Sequence, residues 1–443
     1  MSAFPADLRV RLEAAWERSD RIFGLLKPEA WPQRPIRLRQ PFIFYLGHLP
    51  AFAWNQVCRG VLGRPSFSAA FDRLFERGID PVGDDYRPAS VAWPAEDEVL
   101  AYRDRVRDAL RGSFDDVQAL QGKDPLADRG RIYHLAIEHE LMHHETLLYM
   151  IRQLDGRFKS RPEWLPPFAT DGAASPVTIR IPGGRVTLGA SLDELPFGWD
   201  NEFPEHEVEV APFTMDATPV RNREFLEFLE AGGYDRRDVW SDENWAWKER
   251  AGLRRPNDWT RDGDRWRVGT LFDTLPLDEV GDWPVCVSQA EARAYARWKG
   301  CELPTEAQYH RAAYGTPGGT ARPHPWGESG PGPEHGSFDF RHWAPTPVGS
   351  HPAGATALGV HELVGNGWEW TSSPFEPYPG FAAYLRTYPG YSADFFDRKH
   401  YVMLGASWAT DAALVRRSLR NWFQPHYPYV FAKFRCVAGE APQ

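Results

Sequence analysis

The stretch IYHLAIEHELMHHETLLYMIRQL, residues 132–154, decides how the first third of this 443-residue chain folds. Apolar residues recur through it at helical spacing, and we predict a helix over residues 130–153. His139 and His143 stand four positions apart, so their side chains leave the same face of this helix about one turn apart. The stretch therefore predicts a long helix that presents two imidazoles to a single metal ion.

Three further helices are predicted before this one. Apolar residues from Leu8 to Leu26 recur at the spacing of one helical face, and helical segments also cover residues 42–61 and 96–112. Four helices joined by loops predict a helical bundle, and the interior of a bundle is a common place for metal sites. We place this first domain at residues 1–160.

The chain changes character after a linker at residues 157–177, which is rich in Pro, Gly, Ala and Ser. Short strand-like runs broken by Gly and Pro follow, with helices near 221–231 and 288–300 and a third capped by Thr305. The remainder is irregular and dense in Trp, Pro and Gly. These features predict a second, loop-rich mixed α/β domain at residues 175–443, so the fold class is α+β.

The net charge and the spacing of the cysteines limit the partners and the cellular compartment that we expect for this protein. A net charge of −10 argues against nucleic acid or a membrane surface as the main partner, and no signal peptide or membrane-spanning run is visible. The cysteines lie far apart without a CxxC pair, which indicates reduced thiols in a cytoplasmic protein. We expect small-molecule substrates, and the oligomeric state stays open.

The segment from His139 to His143 also matches the HExxH pattern of zinc peptidases. In such an enzyme Glu140 would be the general base, and a third ligand would normally lie downstream. Here His144, Glu145 and Thr146 follow directly, without a glycine-containing extension to a further histidine. The zinc peptidase is therefore an alternative function of another class, as is a ligand-binding module without catalysis.

A third candidate ligand is His48, which stands alone in the apolar stretch PFIFYLGHLPAFAW. Together with His139 and His143 it would form a facial set of three neutral nitrogen ligands from two helices. Such a set leaves up to three octahedral positions open, which suits an iron(II) ion that must bind O2 and substrates together. Imidazole suits zinc equally well, so these residues alone leave the metal open.

The chain also resembles the iron-dependent sulfoxide synthases of ergothioneine and ovothiol biosynthesis along nearly its whole length. The stretches that carry the resemblance are FYLGH (44–48), HELMHHETLLYM (139–150), WDNEFPEH (199–206), PVRN (219–222), LPTEAQYHRAA (303–313), GNGWEWTSS (365–373), GASWAT (405–410) and RNWFQPHYPYVFAKFRCV (420–437). The resemblance implies a DinB-like four-helix bundle followed by a domain like the formylglycine-generating enzyme, whose fold is related to C-type lectins.

The same resemblance implies the chemistry. The family's three iron ligands correspond to His48, His139 and His143, so Fe(2+) and the co-substrate O2 are expected. The implied reaction is oxygen-dependent C–S bond formation at the imidazole of hercynine, the trimethylated histidine betaine, with a sulfoxide as product. Ovothiol enzymes usually carry an extra methyltransferase domain, and this chain ends at Gln443 without one, so we expect the ergothioneine branch. Structural calcium, Ca(2+), occurs in some related folds and is a further expectation for the second domain.

Positions at which this chain differs from the family pattern indicate which sulfur donor it uses. In the branch that uses γ-glutamylcysteine, an Asp and an Arg follow the RNW motif, and a Gln precedes the second helical histidine. Here Phe423 and Tyr427 stand in place of the first two and Met142 in place of the third. The resemblance therefore implies cysteine, or another small donor, in preference to γ-glutamylcysteine. A related selenoneine synthase couples hercynine with a selenosugar and is the alternative activity.

Other site residues follow from the resemblance as well. The family places a proton- or hydrogen-donating tyrosine ahead of the GASW segment, where Tyr384, Tyr388 and Tyr391 compete for the role. Asn421 resembles the residue that hydrogen-bonds the carboxylate of the acceptor.

Further candidates for substrate binding come from the residue types. Trp422 and Phe423 can face the trimethylammonium group, where cation–π attraction contributes about 0.5–2 kcal/mol. Arg87, in the loop after the first-ligand helix, can bind a donor carboxylate, and Tyr86 beside it is a more remote candidate for the tyrosine role or for substrate contact.

Overall fold

The structure is a computed structural model that describes residues 4–76, 92–172 and 176–439. It divides into two compact units, each assembled from more than one segment of the chain. The first comprises Met1–Glu163, Leu195–Phe197 and Tyr384–Pro389. The second comprises Trp164–Glu194, Gly198–Ala383 and Gly390–Gln443.

The described part of the first unit is helical, as predicted. Its α-helices are α1 (Leu8–Phe23), α2 (Phe42–Ala53), α3 (Ala69–Leu74), α4 (Glu96–Arg111), α5 (Phe114–Gln118) and α6 (Arg131–Gln153). A π-helical segment, Trp54–Val61, continues α2, so the predicted segment 42–61 is one continuous helical stretch of two kinds. The short helices α3 and α5 are absent from the prediction because five or six residues are too few to show a period.

Burial patterns explain the arrangement of these helices. All residues of α2 are buried, and its apolar character extends around the whole helix, as expected for the centre of a bundle. Helix α1 buries one stripe, including Leu12, Trp16 and Ser19, and packs against α6. Arg107 of α4 binds Asp20 of α1 through both guanidinium nitrogens, at 2.7 and 2.9 Å. The bundle thus encloses the two helices that carry the predicted ligands.

The described part of the second unit mixes helices and short strands. Its helices are α7 (Asn222–Glu230), α8 (Asp242–Arg250), α9 (Gln289–Trp298) and α10 (Glu306–Tyr314). Three of them match predictions, and Thr305 caps α10 by accepting a hydrogen bond from the Gln308 N–H at 3.1 Å. Helix α8 was not predicted because its sequence, DENWAWKER, has no clear apolar stripe. The predicted α+β class is confirmed.

The strands of the second unit form four small sheets. The strands are β1 (Thr178–Ile181), β2 (Gly184–Leu188), β3 (His206–Val210), β4 (Phe213–Asp216), β5 (Trp259–Asp262), β6 (Arg265–Gly269), β7 (Thr274–Pro276), β8 (Gly367–Pro374), β9 (Tyr401–Ala406), β10 (Asn421–Phe423), β11 (Ala432–Lys433) and β12 (Val437–Gly439). The sheet orders are β1-β4-β12, β10-β9-β8-β11, β2-β3 and β5-β6-β7. Strand β10, which carries the predicted acceptor-binding residues, is an edge strand that pairs antiparallel with β9.

A buried ion-pair network supports the largest of these sheets. Glu369 on β8 binds Lys433 at 2.9 Å and Arg435 at 2.7 Å, and all three side chains are fully buried. Removing one partner of such a network leaves an uncompensated charge, which typically costs about 3–5 kcal/mol. No helix within the described ranges is both long enough and apolar enough to cross a bilayer.

Candidate metal centre

Three histidines meet in the interior of the helical unit. His48 comes from α2, and His139 and His143 come from consecutive turns of α6. One nitrogen of each ring lies within 4.8 Å of the others, and the ring centroids are 5.0, 5.0 and 4.5 Å apart. Bonds of about 2.0–2.2 Å from three imidazoles to one ion require a separation of this order. The structure therefore brings together the three residues that the sequence predicts as ligands.

A backbone carbonyl fixes the orientation of His48. Its Nδ1–H donates to the carbonyl oxygen of Phe75 at 2.7 Å, which leaves the lone pair on Nε2. That Nε2 atom is buried and has no hydrogen-bond partner among the described residues. The Phe44 ring stacks on the imidazole at a centroid distance of 5.0 Å. A metal ligand that donates its second N–H to a carbonyl is the usual arrangement in metalloproteins.

The two histidines of α6 are positioned by aromatic rings. His139 stacks on Phe52 with centroids 3.5 Å apart and planes within 6°, and His143 lies 5.7 Å from Tyr45. The Nδ1 atoms of both histidines are buried without a hydrogen-bond partner in the described part of the chain. Buried polar atoms are almost always satisfied, so three adjacent imidazoles with such atoms indicate a bound ion. The donor set fits a divalent transition metal.

Burial keeps these imidazoles neutral. It lowers the pKa of His48 from 6.5 to about 4, against the opposing effect of the hydrogen bond to Phe75. The pKa values of His139 and His143 lie well below their usual range, first because both rings are buried and second because of the neighbouring imidazoles. Only the neutral form binds a metal, so the environment holds the ligands in their metal-binding state.

We expect the metal-free protein to lose stability as the pH falls below 6.5. The unfolded chain takes up a proton at His48 near its ordinary pKa, whereas the folded chain does so only near pH 4. The free energy of unfolding should therefore fall by about 2 kcal/mol from this residue alone between about pH 7.5 and 5. Urea unfolding at both pH values measures this, and His48→Asn should reduce the difference. An equally steep loss in that variant would contradict the assignment.

Glu140 lies on a different face of α6. Its side chain is 3% exposed, and its carboxylate accepts a hydrogen bond from the Ser19 hydroxyl of α1. Burial raises its pKa from 4.5 to about 7. A residue one position after His139 is turned by about 100° around the helix axis. What does not suit the general base of a zinc peptidase is its environment, because Glu140 is buried against α1 and hydrogen-bonded to Ser19 there.

Glu140→Gln should leave O2-dependent turnover close to that of the unmodified protein. The amide oxygen of Gln accepts the same hydrogen bond from Ser19, and no proton transfer is assigned to the carboxylate. A peptidase would lose at least about a hundredfold in rate on losing its general base. Oxygen uptake and peptide hydrolysis measured on the same preparation separate the two. Peptidase activity that disappears in this variant would contradict the function proposed below.

Tyr388 is the candidate tyrosine for which the structure provides a contact to the ligand environment. Its ring lies 5.4 Å from the Phe52 ring, which itself stacks on His139. The segment Tyr384–Pro389 belongs to the helical unit and is anchored there by main-chain and side-chain contacts. Arg386 donates to the Gly60 carbonyl at 3.1 Å and forms an ion pair with Asp124.

The other two tyrosines have different surroundings. Tyr391 is buried in the second unit, stacked on Trp199 at 3.9 Å and edge-on to Trp422 at 5.3 Å, as in a packed core. Tyr384 is half-buried in the helical unit, and its carbonyl accepts from the Arg386 N–H at 2.9 Å. The environments of the three tyrosines thus favour Tyr388 for a role beside the ligands.

The predicted acceptor-binding residues lie on β10. Trp422 stacks on Phe375 at 4.1 Å with planes within 8°, which covers one face of its indole. Asn421 is half-buried, and its side-chain oxygen accepts from the Trp422 N–H at 2.9 Å. Phe423 stacks on Tyr427 at 5.0 Å. These two rings form an apolar pair at the positions where the resemblance implies charged donor ligands in the γ-glutamylcysteine branch.

The predictions for Met142, Tyr86, Arg87 and calcium stay predictions. Met142 is half-buried on α6 beside His143. Tyr86 and Arg87 lie outside the described residues. Within the described ranges, the group of three or more His, Cys, Asp or Glu side chains that can share an ion is the three-histidine cluster. Calcium also binds backbone carbonyls, so its presence in the second unit stays a prediction.

Two contributions to the site were not foreseen. Phe52 lies one helical turn after His48 in α2, and that spacing is a signal that the sequence contains. The carbonyl of Phe75, by contrast, orients His48 from 27 residues away in the sequence. No pattern of side chains in the sequence predicts this hydrogen bond. The short segments Leu195–Phe197 and Tyr384–Pro389 of the helical unit were also assigned to the second domain.

The fold and the site together define a two-domain protein with a three-histidine metal centre in a helical bundle. Residues 11–147 match the DinB superfamily, and residues 167–439 match the sulfatase-modifying factor enzyme 1-like domain. The chain is 36% identical over 325 residues to hercynine oxygenase of Mycolicibacterium smegmatis, covering 70% of this chain and 72% of that one. It is 38% identical over 307 residues to hercynine oxygenase of Mycolicibacterium thermoresistibile, covering 68% and 67%.

A longer fungal protein extends the comparison. Ergothioneine biosynthesis protein 1 of Neurospora crassa is 30% identical over 509 residues, which covers 96% of this chain and 57% of that protein. The chain belongs to the ergothioneine sulfoxide synthase family, which includes the hercynine oxygenases. It is therefore an enzyme of the oxygenase class.

Proposed function

We propose that this enzyme is a non-haem iron(II), O2-dependent sulfoxide synthase of ergothioneine biosynthesis. It joins the imidazole of hercynine to a small thiol, with cysteine favoured over γ-glutamylcysteine. The observation that supports this most strongly is the cluster of His48, His139 and His143, of which the first two are buried and the third half-buried, in a chain that belongs to this family.

Iron held by the three histidines would supply the redox chemistry and a common binding point for O2 and both substrates. The protein's own contribution is orientation. Holding two reactants in one place makes their coupling effectively intramolecular, which supplies roughly 7–11 kcal/mol in the best cases. The aromatic rings of Phe44, Phe52 and Tyr45 around the ligands also exclude water, which strengthens electrostatic interactions inside the site.

The proposed role of Tyr388 is to donate a proton or hydrogen atom from its hydroxyl during coupling. Its contact with Phe52 supports this role, as does its place in a segment anchored to the helical unit. The donation would direct the reaction toward C–S bond formation and away from simple oxidation of the thiol.

Substrate recognition is proposed to use residues of strand β10. Asn421 would hydrogen-bond the carboxylate of hercynine, and Phe423 would offer an aromatic face to the trimethylammonium group. Trp422 is a weaker candidate for that contact because Phe375 covers one side of its ring. Phe423 and Tyr427 carry no formal charge, which supports a donor without the second carboxylate of γ-glutamylcysteine.

The donor can be identified in a single parallel experiment. Iron(II)-loaded protein is mixed anaerobically with hercynine and cysteine, γ-glutamylcysteine or a selenosugar, and each mixture is opened to air. Mass spectrometry of the products should show the cysteine–hercynine sulfoxide as the dominant adduct. A selenosugar adduct formed faster than the sulfoxide would show that the enzyme is a selenoneine synthase. Absence of any hercynine adduct, with iron fully bound, would contradict the proposed function.

A further inference from the structure

A chain of buried hydrogen bonds lies on the side of α6 that faces α1. The Ser19 hydroxyl lies 2.8 Å from Nε2 of His144 and donates to the carboxylate of Glu140. The three side chains are 1%, 0% and 3% exposed. None of them has a role in the function proposed above. We refer to Ser19, Glu140 and His144 as the Ser19 network.

The direction of the hydrogen bonds in this network is determined by its members. Since the Ser19 hydroxyl donates to Glu140, its oxygen accepts from the Nε2–H of His144. The two residues of α6 are four positions apart and lie on one face of the helix. A single residue of α1 therefore joins two successive turns of the helix that carries two of the proposed metal ligands.

Helix geometry relates this network to the metal centre. Each residue of a helix advances by about 100°, so Glu140 and His144 are each turned by that angle from His139 and His143. The helix thus has a ligand face and, about a quarter-turn away, a face that is hydrogen-bonded to α1. Any rotation of α6 that breaks the Ser19 network also moves the ligand face.

The ligand face depends on the rotation of α6 because its two histidines are held by ring contacts. His48 is oriented by a hydrogen bond to the Phe75 carbonyl, whereas His139 and His143 contact the rings of Phe52 and Tyr45. A ring nitrogen about 5–6 Å from the helix axis moves by about 1 Å for each 10° of rotation. Metal–ligand bonds tolerate deviations of only about 0.2 Å. The rotation of α6 must therefore be held within a few degrees.

We infer that the Ser19 network fixes the rotation of α6 about its axis, so that Ser19, Glu140 and His144 act as positioning residues for the metal ligands His139 and His143. Apolar packing between α1 and α6 tolerates small slips, whereas a buried polar group that loses its partner costs about 1–3 kcal/mol. The network thus stabilises one rotational position over its neighbours. This inference rests on the three-histidine centre of the proposed function, and it does not depend on the substrates.

Cobalt(II) binding by the full-length, metal-stripped protein tests the inference without measuring turnover. Cobalt(II) alone serves as the probe, with affinity and coordination geometry followed by its visible absorption spectrum. Ser19→Ala should weaken cobalt(II) binding by about tenfold or more, as loss of groups that orient metal ligands typically does. It should also broaden or shift the absorption bands. Glu140→Gln, which keeps the acceptor for Ser19, should bind cobalt(II) like the unmodified protein.

Ser113→Ala is the matched control. Ser113 is also a fully buried serine of the helical unit whose hydroxyl bonds a side chain of α6, Tyr133, at 2.6 Å. Tyr133 lies ten residues before His143, about 15 Å along the helix. Both serine variants should lower the melting temperature of the metal-free protein, but only Ser19→Ala should weaken cobalt(II) binding. Should Ser19→Ala fail to fold, His144→Asn, which removes the Nε2 partner of Ser19 without introducing a thiol that binds cobalt(II), makes the same comparison.

Two outcomes would overturn the inference. The first is unchanged cobalt(II) affinity and spectrum in the Ser19 variant. The second is an equal loss of affinity in Ser113→Ala, which would show a general loss of stability. Failure of the proposed function is distinguishable from both, because an enzyme with another substrate would still show this pattern of cobalt(II) binding.

Discussion

Replacing His139 by alanine should remove the metal and abolish O2-dependent turnover. Two imidazoles remain in this variant, and the stacking partner of Phe52 is lost at the same time. Loss of a group that only orients a ligand typically costs 10–100-fold in affinity, so loss of a ligand itself should cost more than about a hundredfold. Metal analysis of the purified variant, together with oxygen uptake after iron(II) loading, measures both effects.

His134→Gln is the matched control for this prediction. His134 is also a buried histidine of α6, but it stacks on Phe197 at 6.2 Å and is not one of the clustered ligands. The control variant should bind iron(II) as the unmodified protein does. Full iron occupancy and full activity in His139→Ala would show that His139 is not a ligand, and the assignment of the metal centre would then be wrong.

Tyr388→Phe should uncouple oxygen consumption from sulfoxide formation. The variant keeps the ring that packs at 5.4 Å from Phe52 and removes only the hydroxyl. General acid–base catalysis by a positioned side chain contributes about 10²–10⁴-fold, so the rate of hercynine sulfoxide formation should fall by at least about a hundredfold. Oxygen uptake should continue, with oxidised thiol as the main product. Product analysis by mass spectrometry beside an oxygen electrode separates the two rates.

The competing tyrosines provide the controls for Tyr388→Phe. Tyr391→Phe keeps the ring stacked on Trp199, and Tyr384→Phe alters a half-buried residue of the same segment. Both should form the sulfoxide at nearly the original rate. If either variant loses coupling while Tyr388→Phe retains it, the catalytic hydroxyl lies elsewhere and the proposed role of Tyr388 is wrong.

The fold was predictable wherever local patterns were strong. The apolar repeat of α6 and the Thr305 cap of α10 were visible in the sequence, and both elements are found. Helix α8 was missed because tertiary packing, not an apolar stripe, holds it: Trp247 stacks on His426 with ring centroids 4.6 Å apart, and His426 hydrogen-bonds Asn244 at 2.8 Å. The assignment of Tyr384–Pro389 to the helical unit depends on long-range contacts that no local pattern contains.

In the candidate metal centre, too, local patterns predict some features, and long-range contacts determine the others. The spacing of His139 and His143 indicates a shared ion, and His48 is conspicuous as a lone imidazole in an apolar helix. The conformations of these rings depend on partners far away in sequence, such as the Phe75 carbonyl, and on stacking with Phe52. The Ser19 network could not be predicted either, because a serine on α1 and the residues it bonds on α6 are more than 120 residues apart.

The direct test of the metal centre is anomalous X-ray diffraction at the iron edge from crystals of the protein loaded anaerobically with iron(II). We predict one iron peak surrounded by imidazole nitrogens of His48, His139 and His143, each at about 2.0–2.2 Å. An iron peak bound to Glu140, or one with His48 turned away from it, would contradict the assignment of these three histidines as the metal ligands.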